Sequence, residues 1–343
     1  MLFKTSSYAR AGLLGNPSDG YYGKTIAFSM TDFPVEVTMY ESPEVQIVPG
    51  EVDDAVFSSL GDLVSEVQHY GYYGGIRLIK ATTVVFVHYC QRHGIELDGR
   101  NFSVRYRSSV PRLVGLGGSS AICTAMFKSL MRFYNVTIPI EIIPTLCWQA
   151  ENEELGISCG MQDRVIQVYD GIVFMDFDHD YFATNNHGKY ATVPREDLPP
   201  LYLAYDPQRA EFSGIYHRRL RVLFEEKKSD IVAAMSEFAD IAQQGYDAMT
   251  VGKAARLPQL INANFDLRHR VFNVAEENVR MVEQARKVGA SAKFAGSGGA
   301  IVGTYEDEAM FELLSQALDD IKCVTIRPEI PRGRLELDCE CEE

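Results

Sequence analysis

The chain has 343 residues, enough for roughly two domains at about 100–200 residues each. Its 46% hydrophobic content supports a packed core and excludes a mainly disordered chain. Thirty-three Lys plus Arg against 47 Asp plus Glu leave a net charge of −14, a field that repels phosphate backbones and anionic lipid and argues against nucleic-acid and membrane partners. No run of 18 apolar residues occurs, and the start MLFKTSSYARAGLLG lacks the apolar stretch of a secretory signal, so a cytoplasmic protein is expected. An anionic substrate would have to be gathered by a local basic pocket against the global sign. The seven cysteines, at 90, 123, 147, 159, 323, 339 and 341, form no Cys-x-x-Cys pair and read as reduced thiols. Cys339 and Cys341 lie in the acidic tail LELDCECEE, which could chelate a metal, although a solvated acidic tail is the simpler reading.

Residues 35–40 alternate as a strand, and 76–91 carry apolar residues at helical spacing that stops near Gly94. A strand over 101–107 follows. A helix is expected after Ser119 and Ser120, with Ile122, Met126, Leu130 and Phe133 on one face before Asn135 breaks the pattern. Helices over 144–154 and 164–169 precede a strand over 171–177. The polar segment 178–200, with Pro194, Pro199 and Pro200, reads as a connection between two domains, dividing the chain near 190 into 1–190 and 191–343. Beyond it come a strand over 201–205, helices over 214–226, 230–249 and 276–288, strand–glycine–strand over 292–305, a helix over 306–319 and a strand over 324–326. Strands and helices alternate irregularly, so an α+β fold in two layers is favoured over a doubly wound sheet.

Three segments carry chemistry. Gly115-Leu116-Gly117-Gly118-Ser119-Ser120-Ala121 lies between a predicted strand and a predicted helix, where glycines allow close anion approach and a helix N-terminus aims N–H groups at phosphate. A tight turn capped by serine is the alternative. No Lys precedes the serines, so this is not a P-loop, and Ser120 stands where a dinucleotide fingerprint needs its third glycine. Ala295-Gly296-Ser297-Gly298-Gly299-Ala300 by itself reads as a hairpin turn. Arg10–Gly15 is strand-like and runs into the polar turn Asn16-Pro17-Ser18-Asp19, whose Asp19 could accept sugar hydroxyls.

In chain order, residues 10–19, 115–121 and 295–300, with an Asp-bearing segment between the second and third, resemble the GHMP small-molecule kinases. The nucleotide loop of that family is similar to residues 115–121, with one additional small residue here before the serines. Within the superfamily the resemblance is nearest to the eukaryotic glucuronokinases, and it also rests on residues 71–78, 155–157, 162–165, 198–201, 264–268 and 292–300. It implies an N-terminal domain like ribosomal protein S5 domain 2, a C-terminal ferredoxin-like domain, and an ATP- and Mg²⁺-dependent enzyme phosphorylating D-glucuronate at its anomeric oxygen. Another sugar-1-kinase (for galacturonate, arabinose, galactose or a heptose) and a catalytically silent sensor of the same fold are the alternatives.

The same resemblance implies roles. Asp163, in Cys159-Gly160-Met161-Gln162-Asp163, is the implied catalytic carboxylate, with Arg10 near the reacting hydroxyl; as a bare sequence feature Asp163 is equally a helix N-cap. Glu151, twelve positions earlier, and the Ser120 hydroxyl are the implied Mg²⁺ ligands. Asn16, Asp19, Arg164, Gly296 and Ser297 are implied to meet the sugar. Asn16-Pro17 replaces the Glu-His of galactokinases, which argues against galactose. A uronate carboxylate suits a planar Arg, and Arg77, Arg112, Arg164 and Arg268 are candidates, each equally able to form a structural ion pair. Tyr72 and Tyr73 could pack a base or sugar face.

Overall fold

The computed structural model describes residues 2–49, 74–195, 198–208 and 220–334. Tyr72, Tyr73, Cys339, Cys341 and part of the expected 214–226 helix lie outside these residues. The five described cysteines are free thiols. Among the described residues no helix is long and apolar enough to cross a membrane.

The first sheet is built on a long antiparallel pair, β1 (Leu2–Leu14) with β2 (Lys24–Ser42). On its other edge β2 pairs with β4 (Asn101–Ser108) through residues 35–42 and with β5 (Ile172–Asp176) through residues 24–28. Parallel β3 (Gln46–Val48) and antiparallel β6 (Lys189–Thr192) complete the sheet. Only residues 35–40 of β2 are evident from alternation, because residues 25–30 are buried on both faces and read as a continuous apolar run. Pro34 is tolerated mid-strand because the register slips between Tyr8↔Pro34 and Ala9↔Met30, a bulge that needs no ladder bond from the proline.

Helix α1 (Gly75–Arg92) packs on α2 (Gly118–Phe133), which covers β1 and β2. Both agree with the sequence periodicity to within a residue or two. The expected 144–154 helix divides into α3 (Ile143–Gln149) and a wider π-helical turn, Ala150–Glu154. It is followed by α4 (Gln162–Tyr169). The segment expected to be a connection, 178–200, instead holds α5 (His179–Asn185), started by the Asp178 carboxylate accepting from Tyr181 N–H, and the edge strand β6. These elements are too short and too exposed to show a period.

The second sheet has the order β10-β7-β9-β8 and is antiparallel throughout: β7 (Leu201–Tyr205), β8 (Lys293–Phe294), β9 (Ala300–Thr304) and β10 (Val324–Ile326). Helices α6 (Ser229–Thr250), α7 (Leu257–Val271) and α8 (Glu276–Lys287) lie between β7 and β8, and α9 (Glu308–Asp319) lies between β9 and β10. That is the split β-α-β order of a ferredoxin-like sheet. Helix α7 was not expected, although Leu257, Leu260, Ile261 and Phe265 give it a buried stripe. The larger core joins the two halves, since α6 lies on β2 and α7 on β1, while a smaller core around Phe265, Phe294, Ile301 and Leu314 sits beside the second sheet.

Candidate active site

Strand β1 delivers Arg10 to the point where three loops meet. Its backbone N–H donates to Leu116 O (3.1 Å), while its guanidinium donates to Gly115 O and Ala295 O. Nε and one Nη reach both oxygens of Asp163 at 2.6 Å each. Arg10 is thus the tie between the N-terminal motif, the nucleotide loop, the C-terminal glycine loop and the first turn of α4. This bidentate geometry fixes the carboxylate plane.

The nucleotide loop opens α2 without a side-chain cap, leaving the first N–H groups of the helix for a ligand. Gly117 precedes the helix at φ 76°, and a Cβ there would stand 2.9 Å from Gln167 Nε2, whose amide holds Gly117 O at 2.7 Å. The C-terminal glycine loop is the turn of the β8–β9 hairpin, and it also abuts the nucleotide loop. A Cβ on Gly296 would lie 2.1 Å from Gly115 O, so only glycine allows that approach. The segment is therefore a hairpin turn that also reaches the nucleotide loop.

One cavity is lined by Arg10, Asn16, Asp19, Gly115, Leu116, Gly117, Gly118, Ser119, Glu151, Asp163, Arg164, Gly296 and Ser297. Ser120 and Ala121 lie behind it, with Ser120 fully buried and its hydroxyl donating to Gly117 O at 3.0 Å. Arg77, Arg112, Arg164 and Arg268 line it too, so five arginines face three carboxylates in a chain of net charge −14. Of the uronate candidates, Arg164 and Arg268 bind groups of the protein itself. Arg164 donates to Glu151 and to Gly160 O, and Arg268 donates to Gly296 O and Ser297 O at 2.9 and 2.8 Å, holding the glycine loop.

Burial and the nearby charge of Asp163 push the Asp19 carboxyl up to about 6, although Gln162 N–H donates to it at 3.1 Å and Arg10 and Arg164 oppose the rise. Asp163 is in the first turn of α4 rather than at its cap, which is Met161. Burial pushes the Cys159 thiol up to about 12, so it stays protonated and is no nucleophile. Among the described residues no group of three His, Cys, Asp or Glu surrounds a metal position. Glu151 nevertheless fits a hard cation that takes few protein oxygens: it is fully buried, faces the cavity, and its Oε1 has no hydrogen-bond partner among the described residues.

Three residues to which the sequence reading gave no role support the site. Gln167 clamps the nucleotide loop, and Asn264 receives Gly15 N–H at 2.7 Å. Lys293 is buried beneath Asn16, donating to its Oδ1 at 2.6 Å. A lysine between Ala292 and Phe294 in an apolar strand was the available signal for the last.

The GHMP kinases N terminal domain matches residues 77–171, a span that contains the nucleotide loop, Glu151 and Asp163. "Probable glucuronokinase 2" of Arabidopsis thaliana is 42% identical over 308 residues, covering 88% of this chain and 84% of its own length. "Glucuronokinase 1" of the same plant is 41% identical, with 86% and 83% covered. Among solved structures, a Lin0012 protein from Listeria innocua superposes with a TM-score of 0.80 at 13% identity, covering 97% of this chain and 99% of its own. Lactococcus lactis galactokinase complexed with galactose does so at 0.76 and 14%, covering 98% and 95%. The chain has the fold of these proteins and belongs to the GHMP kinase family, beside the plant glucuronokinases.

Proposed function

We propose that this chain is an ATP-dependent, cytoplasmic sugar kinase that phosphorylates the anomeric hydroxyl of D-glucuronate, giving glucuronate 1-phosphate and ADP for UDP-glucuronate synthesis. The observation that carries the reading is Arg10 binding three motif segments to Asp163. The strong identity to plant glucuronokinases over most of the chain supports the substrate. Residues 1–190 supply the nucleotide loop and the carboxylates, and residues 191–343 close the cavity with Arg268 and the Gly296 loop.

Phosphoryl transfer asks mainly for positioning and charge neutralisation. The N–H groups of the Gly115–Ala121 loop and of the first turn of α2 take the phosphates. Asp163, oriented by Arg10, positions the anomeric hydroxyl and receives its proton as that oxygen bonds to the γ-phosphorus and ADP leaves. Arg10 offsets charge on the transferred group. Asp19 accepts a sugar hydroxyl, with Asn16, Arg164, Gly296 and Ser297 around the sugar. Glu151, and the Ser120 hydroxyl through its remaining lone pairs, would hold Mg²⁺. When bound, that ion neutralises phosphate charge.

The test is a coupled ADP-release assay with glucuronate, galacturonate, galactose, arabinose and a heptose. Turnover of glucuronate above the others is expected. Strong turnover of galactose without glucuronate overturns the substrate, and MgATP binding without turnover of any sugar overturns the enzyme.

A further inference from the structure

Lys293 is 1% exposed and, among the described residues, forms no ion pair. Its Nζ donates to three neutral oxygens: Gly12 O on β1, Asn16 Oδ1 at 2.6 Å and Phe294 O at 2.8 Å. Three acceptors use all three N–H bonds of an ammonium. Burial, with the charges of Arg268 and Arg10 close by, works against that ammonium, so a ligand bringing negative charge would be favoured here. The Lys293 bond also orients the Asn16 amide: the oxygen points to the lysine, which leaves Nδ2 as the outward group of a residue that lines the cavity. The backbone beneath is fastened by Asn264, which accepts from Gly15 N–H and donates to Asn16 O at 3.4 Å. A hydroxyl can donate or accept, so Asp19 alone can read one. A fixed amide donor over a buried ammonium is instead matched to a group that only accepts.

We propose that Asn16, oriented by Lys293, reads the carboxylate of the sugar acid, with Lys293 as its positioning residue. This rests on the sugar-acid reading above. It also accounts for Arg164 and Arg268 being engaged with Glu151 and with the Gly296 loop.

The experiment compares kcat/KM for glucuronate with that for glucuronamide, its neutral counterpart, in the full-length protein. Asn16→Ala lowers the glucuronate-to-glucuronamide ratio about 10- to 100-fold through KM, with KM for ATP unchanged, the loss typical of a hydrogen bond to a charged group. Lys293→Met lowers the ratio similarly, and the double variant loses no more than either single one. Should Lys293→Met fail to fold, Asn16→Asp decides: it satisfies Lys293 while repelling the uronate, so the ratio falls further. A ratio within about twofold of the parent in Asn16→Ala and Asn16→Asp overturns the proposal, as does Arg77→Ala carrying the loss instead. Absence of glucuronate turnover in the parent protein overturns the sugar-acid reading itself, whereas parent turnover with unchanged ratios in the variants overturns only the role of Asn16.

Discussion

Two arginine–carboxylate pairs face the same cavity, and they differ in how completely they are satisfied. In Arg10–Asp163 both carboxylate oxygens accept, and the Asp163 side chain keeps 19% of its surface open. In Arg164–Glu151 one oxygen accepts while the other has no partner among the described residues, although the Glu151 side chain is fully buried. Burying ions costs several kcal/mol each unless their remaining lone pairs are met, so the second pair is the less settled one. Its carboxylate sits in a π-helical turn, a departure from regular helix that is frequent at functional sites. The contrast suits different tasks in the proposed reaction: Asp163, oriented by Arg10 and partly open, to meet a substrate proton, and Glu151, with an oxygen unpartnered among the described residues, to meet a cation.

Breaking the first pair should have the largest effect. Asp163→Asn is expected to lower kcat by about 10³-fold, within the range for losing a general base, while MgATP binding measured by calorimetry stays within about threefold. Retained turnover would assign Asp163 to scaffolding. Glu151→Gln tests the second pair: the Mg²⁺ concentration for half-maximal rate should rise at least about tenfold. An unchanged Mg²⁺ requirement with lowered stability would mean that Glu151 serves only as counter-ion to Arg164.

The nucleotide loop was legible because its chemistry is local: glycines and serines at fixed spacing between a strand and a helix need no distant partner to be recognised. Asp163 and Glu151 stood out through resemblance, and the structure places both at the cavity. Arg10 and Arg164 stood out through the same resemblance, but their pairing with Asp163 and Glu151 did not, since Arg10 is 153 positions from Asp163 and no local pattern records such a contact. The contacts of Gln167 and Lys293 were hidden for the same reason, although a lysine in an apolar strand marked the second. In the fold, one-sided periodicity revealed α1, α2, α6 and α8. The doubly buried part of β2 and its bulge at Pro34 follow from neighbours on both faces, which periodicity does not carry.

Arg10→Lys weakens the first pair without removing its charge. A lysine keeps the charge but not the fork that spans both Asp163 oxygens and Gly115 O, so kcat should fall about 10- to 100-fold. If Lys served as well as Arg, charge alone rather than carboxylate orientation would be the contribution of the first pair.

The smallest effect sharpens the comparison from beside it. The Asp19 carboxyl is raised from 3.8 to about 6 by burial and then by Asp163, so it is ionised and able to accept a sugar hydroxyl only above that pH. As pH falls through about 6, kcat/KM for the sugar should drop by up to about tenfold per unit, and Asp19→Asn should remove this limb. Stability runs the opposite way. A carboxyl whose folded pKa is raised contributes most below 3.8 and loses that contribution as pH rises to about 6, because the folded state gives up its proton later than the unfolded chain. Asp19→Asn should therefore raise Tm at pH 7 and change it little at pH 4, measured by calorimetry. The opposite order would mean that Asp19 gains more from Gln162 N–H and the two arginines than it loses to burial and to Asp163. The first pair would then neutralise its surroundings more completely than its own geometry indicates.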